Sequence, residues 1–395
     1  MERSMDRWLA FAGFSANPFA VHEAEKETRL PDYFVPPAWF TDILGEPAAP
    51  SSSVVFADRG CGKTAQRIMV RRQCCPDGFK EGQALCVVYA DFDAAAALAA
   101  SLSPREIRNV HVNEILQLAV HELADALLNN DFVLGRYLGL PKWERCRIHW
   151  FLHNFRRGLT LSQRSRLIQA EIEPLARNDA FGMDDLSQDV LEELQADAHS
   201  NPTSILYQFG NLIKSLGFDA LYILMDGVDE LAAMADAASV VQLMAPMLAD
   251  WRLLNTPGLA FKFFLPQEWE DHFQAQTAIR EDRLRMHHVE WVPEELLTML
   301  HRRLATYRGV PALGDLCEPG LANRIEADLV HLARGSPRDM IRLGCRLLSE
   351  HCVRSNGALQ RQISPAAWED AKLMFLEDRN RVCTIKNDDP FFPSC

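Results

Sequence analysis

The hydrophobic residues of this chain fall into short, continuous runs separated by longer stretches of mixed composition. The runs lie at residues 54–56, 84–90, 220–225 and 260–265, and a less apolar segment that we also predict as a strand lies at 287–291. Continuous runs of this length are typical of parallel strands covered on both faces, and the stretches between them carry the spacing of amphipathic helices. The alternation predicts an α/β fold built on a parallel sheet.

Two parts of the chain are predicted to be helical without strands. The interval from about 103 to 215 is far longer than an ordinary crossover between parallel strands, so we expect a helical insertion there. Helical spacing resumes at residue 293, and Pro337 and Pro365 stand where proline favours the first turn of a helix. We therefore predict a core at 51–292, a helical domain at 293–380 and a loose tail at 381–395.

The segment ahead of the first strand is rich in proline, with Pro18, Pro31, Pro36 and Pro37. Each proline fixes its own φ and biases the preceding residue away from the helical region. We therefore expect residues 1–50 to form an extended lead that wraps the core.

Composition and charge narrow the class of protein. The chain has 395 residues, of which 48% are hydrophobic and 24% are charged, so two or three packed units are expected. No apolar stretch approaches the length of a membrane span and the first residues do not form a secretory signal, so we expect a cytoplasmic protein without a membrane partner. The ten cysteines include no C-x-x-C pair, and a net charge of −13 argues against a general binder of polyanions.

A phosphate-binding loop is predicted directly after the first strand. The Walker A pattern is G-x-x-x-x-G-K-[ST], and residues 57–64 read Ala-Asp-Arg-Gly-Cys-Gly-Lys-Thr, which departs from the pattern at the first position. Glycines let the loop amides converge on phosphate oxygens at a helix N-terminus. Lys63 is predicted to reach the β- and γ-phosphates, and the Thr64 hydroxyl is predicted to bind Mg²⁺. The predicted nucleotide-binding residues of the loop are Arg59, Gly60, Cys61, Gly62, Lys63, Thr64 and Ala65.

Cys61 admits two interpretations. Its position at a helix N-terminus beside Lys63 makes it a candidate redox-sensitive thiol, because such surroundings lower the pKa of a cysteine. The alternative, which we favour, is that it is a small residue that the loop tolerates.

An acidic cluster follows the apolar run at 220–225, where residues 226–230 read Asp-Gly-Val-Asp-Glu. A hard cation prefers oxygen ligands, so Asp226 is predicted to hold Mg²⁺ through a water. Glu230, or alternatively Asp229, is predicted to orient and polarise an attacking water, and we favour Glu230. A solvated acidic turn after a buried strand is the alternative. The phosphate loop upstream favours the first interpretation, with ATP and Mg²⁺ as the cofactors.

These motifs resemble those of the AAA+ and STAND branch of P-loop ATPases, which includes the NACHT proteins and the Orc/Cdc6 initiators. Residues 226–231 are similar to the D-G-h-D-E-L form of the Walker B motif in NACHT modules. Residues 335–339, Gly-Ser-Pro-Arg-Asp, are similar to the sensor 2 turn that opens a lid helix, which implies that Arg338 senses the γ-phosphate. The segment 33–37 is similar to the one that lies against the adenine in initiator ATPases.

The resemblance implies an ASCE/AAA+-like core, a lid at 293–380 and a lead at 1–50 that packs on the nucleotide site. The strand at 260–265 should then end in a polar sensor 1 residue, and Gln267 is the candidate. No arginine finger can be assigned. Arg338 also has an alternative interpretation, as an arginine at a helix start that pairs with a nearby acid.

A basic and aromatic stretch at 142–166 suggests nucleic acid as a further ligand. Its members are Lys142, Arg145, Arg147, Arg156, Arg157, Arg164 and Arg166, interleaved with Trp143, His149, Trp150, Phe151, His153 and Phe155. Basic residues attract a phosphate backbone and aromatic rings stack on bases. The alternative, which we favour, is an amphipathic helix whose aromatic residues are core and whose arginines meet the acids of 171–197.

These observations predict an enzyme that hydrolyses ATP with Mg²⁺ and couples hydrolysis to a conformational or assembly switch. The output is expected to pass through a protein partner or self-assembly, and the company that STAND-like ATPases keep suggests a bacterial antiviral defence system. The alternative is an AAA+-like ATPase that binds or remodels nucleic acid. A small-molecule kinase ranks last, because we find a sensor 2 turn and a large helical insertion instead of an acceptor pocket.

Overall fold

The structure of the protein is a computed structural model that describes residues 2–74, 81–155, 201–231, 237–277, 284–355 and 362–388. Within these residues the strands are β1 (Ser53–Ala57), β2 (Gln83–Tyr89), β3 (Phe218–Met225), β4 (Leu259–Pro266) and β5 (Arg285–His288). They form one parallel sheet in the order β2-β3-β4-β1-β5. The predicted α/β class with a parallel sheet is therefore confirmed.

The pairing register separates the sheet into two faces with different side chains. Cys86 of β2 lies opposite Tyr222 of β3, and Tyr222 lies opposite Ala260 of β4. Because side chains alternate along a strand, Lys262 shares the face of Cys86 and Tyr222. The opposite face carries the residues of the main hydrophobic core, among them Leu85, Val87, Leu221, Ile223, Phe261 and Phe263. The face with Lys262 therefore carries a buried lysine, whereas the opposite face is mainly apolar and includes one tyrosine, Tyr89.

Tertiary contacts divide the chain into two compact units. The sheet unit comprises Trp39–Phe56 and Met69–His287. Its described helices are α3 (Phe40–Leu44), α5 (Asp93–Ala99), α6 (Pro104–Asn129), α7 (Asp131–Gly139), α8 (Lys142–Phe155), α9 (Pro202–Ser215), α10 (Ala237–Leu248), α11 (Trp251–Leu254) and α12 (Glu270–Thr277). The interval between β2 and β3 is thus helical wherever the structure describes it, apart from short connections.

The longest helix of this interval starts where the sequence specifies a start. The Ser103 hydroxyl accepts a hydrogen bond from the Glu106 amide of α6, and the Glu106 carboxylate accepts one from the Ser103 amide. This capping box, with Pro104 in the first turn, satisfies amides that the helix leaves without partners. Beyond it, α6 buries Ile115, Leu116 and neighbouring apolar residues in the core.

The second unit, which we call the terminal unit, comprises Met1–Ala38, Ala57–Ile68 and His288–Cys395. Its described helices are α1 (Glu2–Phe11), α2 (Leu30–Tyr33), the first turns of α4 (Lys63–Cys74), α13 (Pro293–Arg308), α14 (Pro319–Ala322), α15 (Ile325–Ala333), α16 (Pro337–Arg354) and α17 (Pro365–Asp388). The lead was predicted to be extended, but it contains helices. In α2, Pro31 lies in the first turn, where its missing N–H group breaks no hydrogen bond of the helix. The helix α17 also runs into the segment predicted as a loose tail.

A buried arginine fastens the lead to α13 within the terminal unit. Arg303 is 1% exposed, and its guanidinium pairs with the Glu27 carboxylate at 2.7 Å. It also donates to the Val21 carbonyl at 2.7 Å, and to the Tyr33 hydroxyl and the Pro18 carbonyl. The charge is therefore satisfied on several sides, which is the condition for burying an arginine.

The predicted boundaries near residues 50, 292 and 380 stay a prediction, since the contact-based units are discontinuous in sequence. Every helix in the described ranges is too short or too polar to cross a lipid bilayer.

Candidate functional site

The loop that follows β1 has the backbone geometry that a phosphate-binding loop requires. The strand ends at Ala57 and α4 begins at Lys63. Gly60 has a φ of 89° and Gly62 a φ of 100°, in the left-handed region that glycine adopts without strain. The Cys61 amide donates to the Asp58 carbonyl at 3.1 Å, which closes a tight turn. The glycines of the predicted motif thus stand at the positions where the chain needs them.

The start of α4 presents backbone amides and a lysine. The Gln66 amide makes the bond to the Gly62 carbonyl, at 3.0 Å, and helix geometry leaves the amides of the preceding turn without intrahelical acceptors. Those amides and the positive end of the helix dipole favour an anion. Lys63 is 7% exposed, and its Nζ donates to the Ala57 carbonyl at 3.2 Å. Thr64 and Ala65 are half-buried beside it, whereas Arg59 is exposed.

Three hydrogen bonds hold the loop against other parts of the terminal unit. The Arg338 amide donates to the Gly60 carbonyl at 3.3 Å, and the Trp291 indole N–H donates to the Cys61 carbonyl at 2.8 Å. The Cys61 thiol donates to the Gly335 carbonyl at 3.5 Å. We refer to these contacts as the loop clasp. Trp291 was not predicted from the sequence, since a single tryptophan ahead of a helix forms no motif.

Cys61 has the opposite character to a redox-sensitive thiol. Burial, together with the nearby negative charge of Asp58, raises the pKa of the Cys61 thiol to about 11. A thiol with so high a pKa is almost entirely protonated at neutral pH, and the thiolate is the reactive form. The redox interpretation of this residue is therefore wrong, and the thiol acts as a hydrogen-bond donor.

Arg338 is the second residue of α16, after Pro337. The hydroxyl of the Ser336 N-cap accepts a hydrogen bond from the Asp339 amide at 3.1 Å. Its side chain is half-buried and forms no ion pair with any residue that the structure describes. Asp339 instead pairs with Arg342 at 3.9 Å and with Arg379 at 4.0 Å. The pKa of the Glu23 carboxyl is lowered, chiefly by its hydrogen bond to Lys26 and to a smaller extent by the charge of Arg338, so an acid lies within electrostatic reach of Arg338. Both interpretations of Arg338 therefore stay predictions.

The predicted acidic residues follow β3 in the sheet unit. Asp226 is 4% exposed, and its amide donates to the Tyr89 carbonyl at the end of β2, at 3.2 Å. Gly227 has a φ of 86° and turns the chain into a short 3-10 helix, Val228–Glu230. Asp229 is half-buried, and the Glu230 carboxylate is exposed. Asp226 is therefore a buried carboxylate at the end of the strand, and Glu230 is an exposed carboxylate beyond the turn.

Gln267, the candidate sensor 1 residue, is the first residue after β4 and opens the 3-10 helix Gln267–Trp269. Its side chain is half-buried. The strand itself ends in Leu265 and Pro266 rather than in a polar residue, so the assignment of Gln267 as sensor 1 stays a prediction.

The donor set suits a cation that is shared with a ligand. In the described ranges, no cluster of three or more His, Cys, Asp or Glu residues could hold a metal ion. Asp226 in the sheet unit has a carboxylate and Thr64 in the terminal unit has a hydroxyl, and both are hard oxygen donors of the kind that Mg²⁺ prefers. Mg²⁺ keeps several waters and is commonly bound by one or two protein groups together with substrate phosphates, so the chemistry of each residue, taken by itself, fits this cation.

The aromatic residues of the basic stretch are mostly core residues. In α8, Trp150 and Phe151 are 1% and 0% exposed, and Phe155 packs against both rings. The His149 imidazole is hydrogen-bonded to the Tyr137 hydroxyl at 2.6 Å. Buried rings cannot stack on bases, so these residues agree with the amphipathic-helix alternative, whereas Trp143 is 55% exposed. The arginines at 156, 157, 164 and 166 lie outside the described residues, and nucleic-acid binding there stays a prediction.

Comparison with known proteins leaves the site to be interpreted from its own geometry. No protein-family model matches the chain, and no curated protein matches it in sequence.

Proposed function

We propose that this protein binds ATP with Mg²⁺ and hydrolyses it, as a P-loop ATPase of the AAA+/STAND branch. The observation that carries the proposal is the geometry of residues 57–65. A buried strand leads into two glycines at positive φ, and a helix then starts with amides that have no intrahelical acceptor and with a buried lysine. This combination is the anion site that phosphate-binding loops use.

The sheet topology supports the same conclusion. In the strand order β2-β3-β4-β1-β5, the connection from β1 leads to β2 at one edge of the sheet. The connection from the neighbouring strand β4 leads to β5 at the opposite edge. Ligands of open α/β sheets bind outside the carboxyl ends of the strands, at points where neighbouring connections diverge in this way. The lysine follows the carboxyl end of β1, and the carboxylates follow the carboxyl end of β3.

The proposed roles follow from the chemistry of each side chain. Lys63 and the amides at the start of α4 would neutralise the phosphates, and Thr64 and Asp226 would hold a hydrated Mg²⁺, which would supply positive charge to the phosphates. Glu230 would accept a proton from the attacking water, because its carboxylate is exposed and a positioned carboxylate can act as a general base. Arg338 contacts the γ-phosphate, and this contact couples the nucleotide to α16.

The output of the ATPase follows from the resemblance rather than from the site. A switch that acts on a partner protein or on self-assembly, in a bacterial defence system, stays a prediction. The nucleic-acid alternative also stays a prediction: in the described part of α8, Trp150 and Phe151 are buried and cannot stack on bases, whereas Trp143 is 55% exposed.

Nucleotide binding and steady-state ATP turnover of two variants test the proposal. We expect Lys63→Ala to weaken ATP affinity at least tenfold and to abolish turnover. We expect Glu230→Gln to keep ATP affinity and to lower turnover by about 10²–10⁴-fold, the usual contribution of a general base. Glu294→Gln, at an exposed position in the first turn of α13, is the matched control and should behave as the wild type. Unchanged affinity and turnover in both site variants, with intact folding, would refute the proposal.

A further inference from the structure

The loop clasp fixes the direction of a peptide unit that glycine would otherwise leave free. The Cys61 carbonyl and the Gly62 amide belong to one peptide plane, so they point in opposite directions. Gly62 has a φ of 100° and no side chain to restrict rotation, which lets this plane turn over at little cost. The Trp291 indole N–H binds the Cys61 carbonyl at 2.8 Å and thereby selects one orientation.

The selected orientation leaves the Gly62 amide, rather than the Cys61 carbonyl, available to an anion. With the carbonyl of residue 61 held by Trp291, the Gly62 amide points away from the indole, in the sense in which a loop amide can meet a phosphate oxygen. In the reverse orientation the carbonyl oxygen would face the phosphate, and two negative partners would repel. Holding the plane before the ligand arrives avoids the cost of ordering it on binding.

The other two clasp contacts restrain the neighbouring peptide and the thiol. The Gly60 carbonyl accepts from the Arg338 amide at 3.3 Å, and the Cys61 thiol donates to the Gly335 carbonyl at 3.5 Å. Gly60 has no room for a side chain, since an added Cβ would lie 3.0 Å from the Ser336 hydroxyl and 3.2 Å from the Arg338 Cβ. Of the three contacts, the indole bond is the one that a side-chain substitution can remove without changing the loop sequence.

We propose that Trp291 is a positioning residue of the phosphate loop, whose indole N–H holds the Cys61–Gly62 peptide with its amide towards the phosphates. This inference rests on the proposed function for the identity of the ligand, and on the clasp geometry alone for the restraint on the loop. The indole bond and the thiol contact with Gly335 hold the same residue, Cys61. Loss of the indole bond should therefore also expose that thiol. The thiol is therefore an internal reporter of loop order that needs no nucleotide.

The variant that isolates the indole N–H is Trp291→Phe, which keeps an aromatic ring and removes the donor. Trp251→Phe is the matched control, at an exposed tryptophan (47% exposed) in the sheet unit. Two measurements are made on each full-length protein. The first is ATP and ADP affinity with the kinetic constants for ATP, and the second is the rate at which iodoacetamide labels Cys61, followed by mass spectrometry of its peptide.

We expect Trp291→Phe to weaken ATP and ADP affinity by about fivefold, the effect of losing one hydrogen bond. KM should rise while kcat stays near the wild-type value, because the orientation of the loop serves bound substrate and transition state alike. Cys61 should be labelled several times faster, and the buried Cys317, 3% exposed, should be labelled as in the wild type.

Unchanged Cys61 labelling in Trp291→Phe would overturn the restraint on the loop, whatever the ligand is. Faster labelling with unchanged nucleotide affinity would overturn the positioning role. A fall in kcat at constant KM would also contradict it, because that pattern belongs to a group acting on the transition state. Wild-type protein that binds no nucleotide would refute the proposed function and the phosphate role together, while the labelling rates would still decide whether Trp291 holds the loop.

Discussion

Replacing Lys262 with methionine is expected to stabilise the protein at neutral pH. Lys262 lies in the middle of β4 and is 0% exposed. Its ammonium donates to the Ser51 carbonyl at 2.6 Å and lies 5.3 Å from the centre of the Tyr222 ring. It forms no ion pair with a described residue. Burial, the largest cause, lowers the pKa of Lys262 from 10.5 to about 8.

The magnitude follows from that shift. The difference between 10.5 and about 8 corresponds to ~3 kcal/mol of destabilisation when the lysine is charged. Methionine removes this cost at similar length. It also removes the hydrogen bond to Ser51, which contributes about 1 kcal/mol, and the contact with the Tyr222 ring, which contributes up to about 1 kcal/mol. The expected net gain in the free energy of unfolding is ~1–2 kcal/mol at pH 7.

The pH dependence has a definite sign. Because the pKa of Lys262 is lower in the folded state, the unfolded chain binds more protons between pH 8 and pH 10.5. The stability contributed by the neutral amine is fully present above pH 10.5 and is lost as the pH falls through about 8. The wild type should therefore gain ~2 kcal/mol relative to Lys262→Met between pH 8 and pH 10.

Urea unfolding followed by circular dichroism, at pH 7, 8, 9 and 10, measures the difference between the two proteins. Lys26→Met, at a side chain that is 71% exposed, is the control and should show a pH-independent difference from the wild type. A difference between the wild type and Lys262→Met that is flat from pH 7 to pH 10 would show that burial does not shift this lysine, and would refute the reasoning.

Three further predictions concern buried groups elsewhere. Arg303→Met should destabilise the protein by about 3–5 kcal/mol in urea unfolding, because Glu27 stays buried without its partner; adding Glu27→Gln should restore part of the loss, and no recovery would contradict the pairing argument. Burial lowers the pKa of His111 to about 4, so stability should fall by ~3 kcal/mol as the pH drops from 6.5 to 4; a His111→Gln variant with the same acid profile would exclude this histidine as the cause. Gly344→Ala places a Cβ 2.7 Å from the Phe19 ring and should cost about 1–3 kcal/mol in thermal or urea unfolding; a variant as stable as the wild type would show that the ring moves freely.

Much of the sheet could be predicted from the sequence because its strands are buried on both faces. The run at 220–225 has no polar residue, and it lies within β3, which the structure extends to Phe218–Met225. The turn between β1 and α4 could also be predicted from the sequence, since its two glycines are required by local backbone geometry rather than by distant contacts.

Long-range contacts explain what could not be predicted. Lys262 interrupts an apolar run, and no local pattern shows that the Ser51 carbonyl, 211 positions away, accepts a hydrogen bond from its ammonium. The partners of Arg303 lie up to 285 positions earlier in the chain. The contact between Trp291 and Cys61 spans 230 positions, so no short motif could contain it. Periodicity and motif matching detect patterns among residues that are close in sequence, whereas these contacts form only when the chain has folded.

The anchoring of the lead on α13 has a consequence for biosynthesis. Residues near the start of the chain complete their packing against residues made near its end, as Trp8 does against His351 and Phe19 against Gly344. A ribosome releases the early segment long before those partners exist, and domains generally fold as units once their whole sequence has emerged. The apolar side chains of the lead must therefore wait, exposed, until translation has passed residue 351, whereas the sheet unit has all its residues by 287.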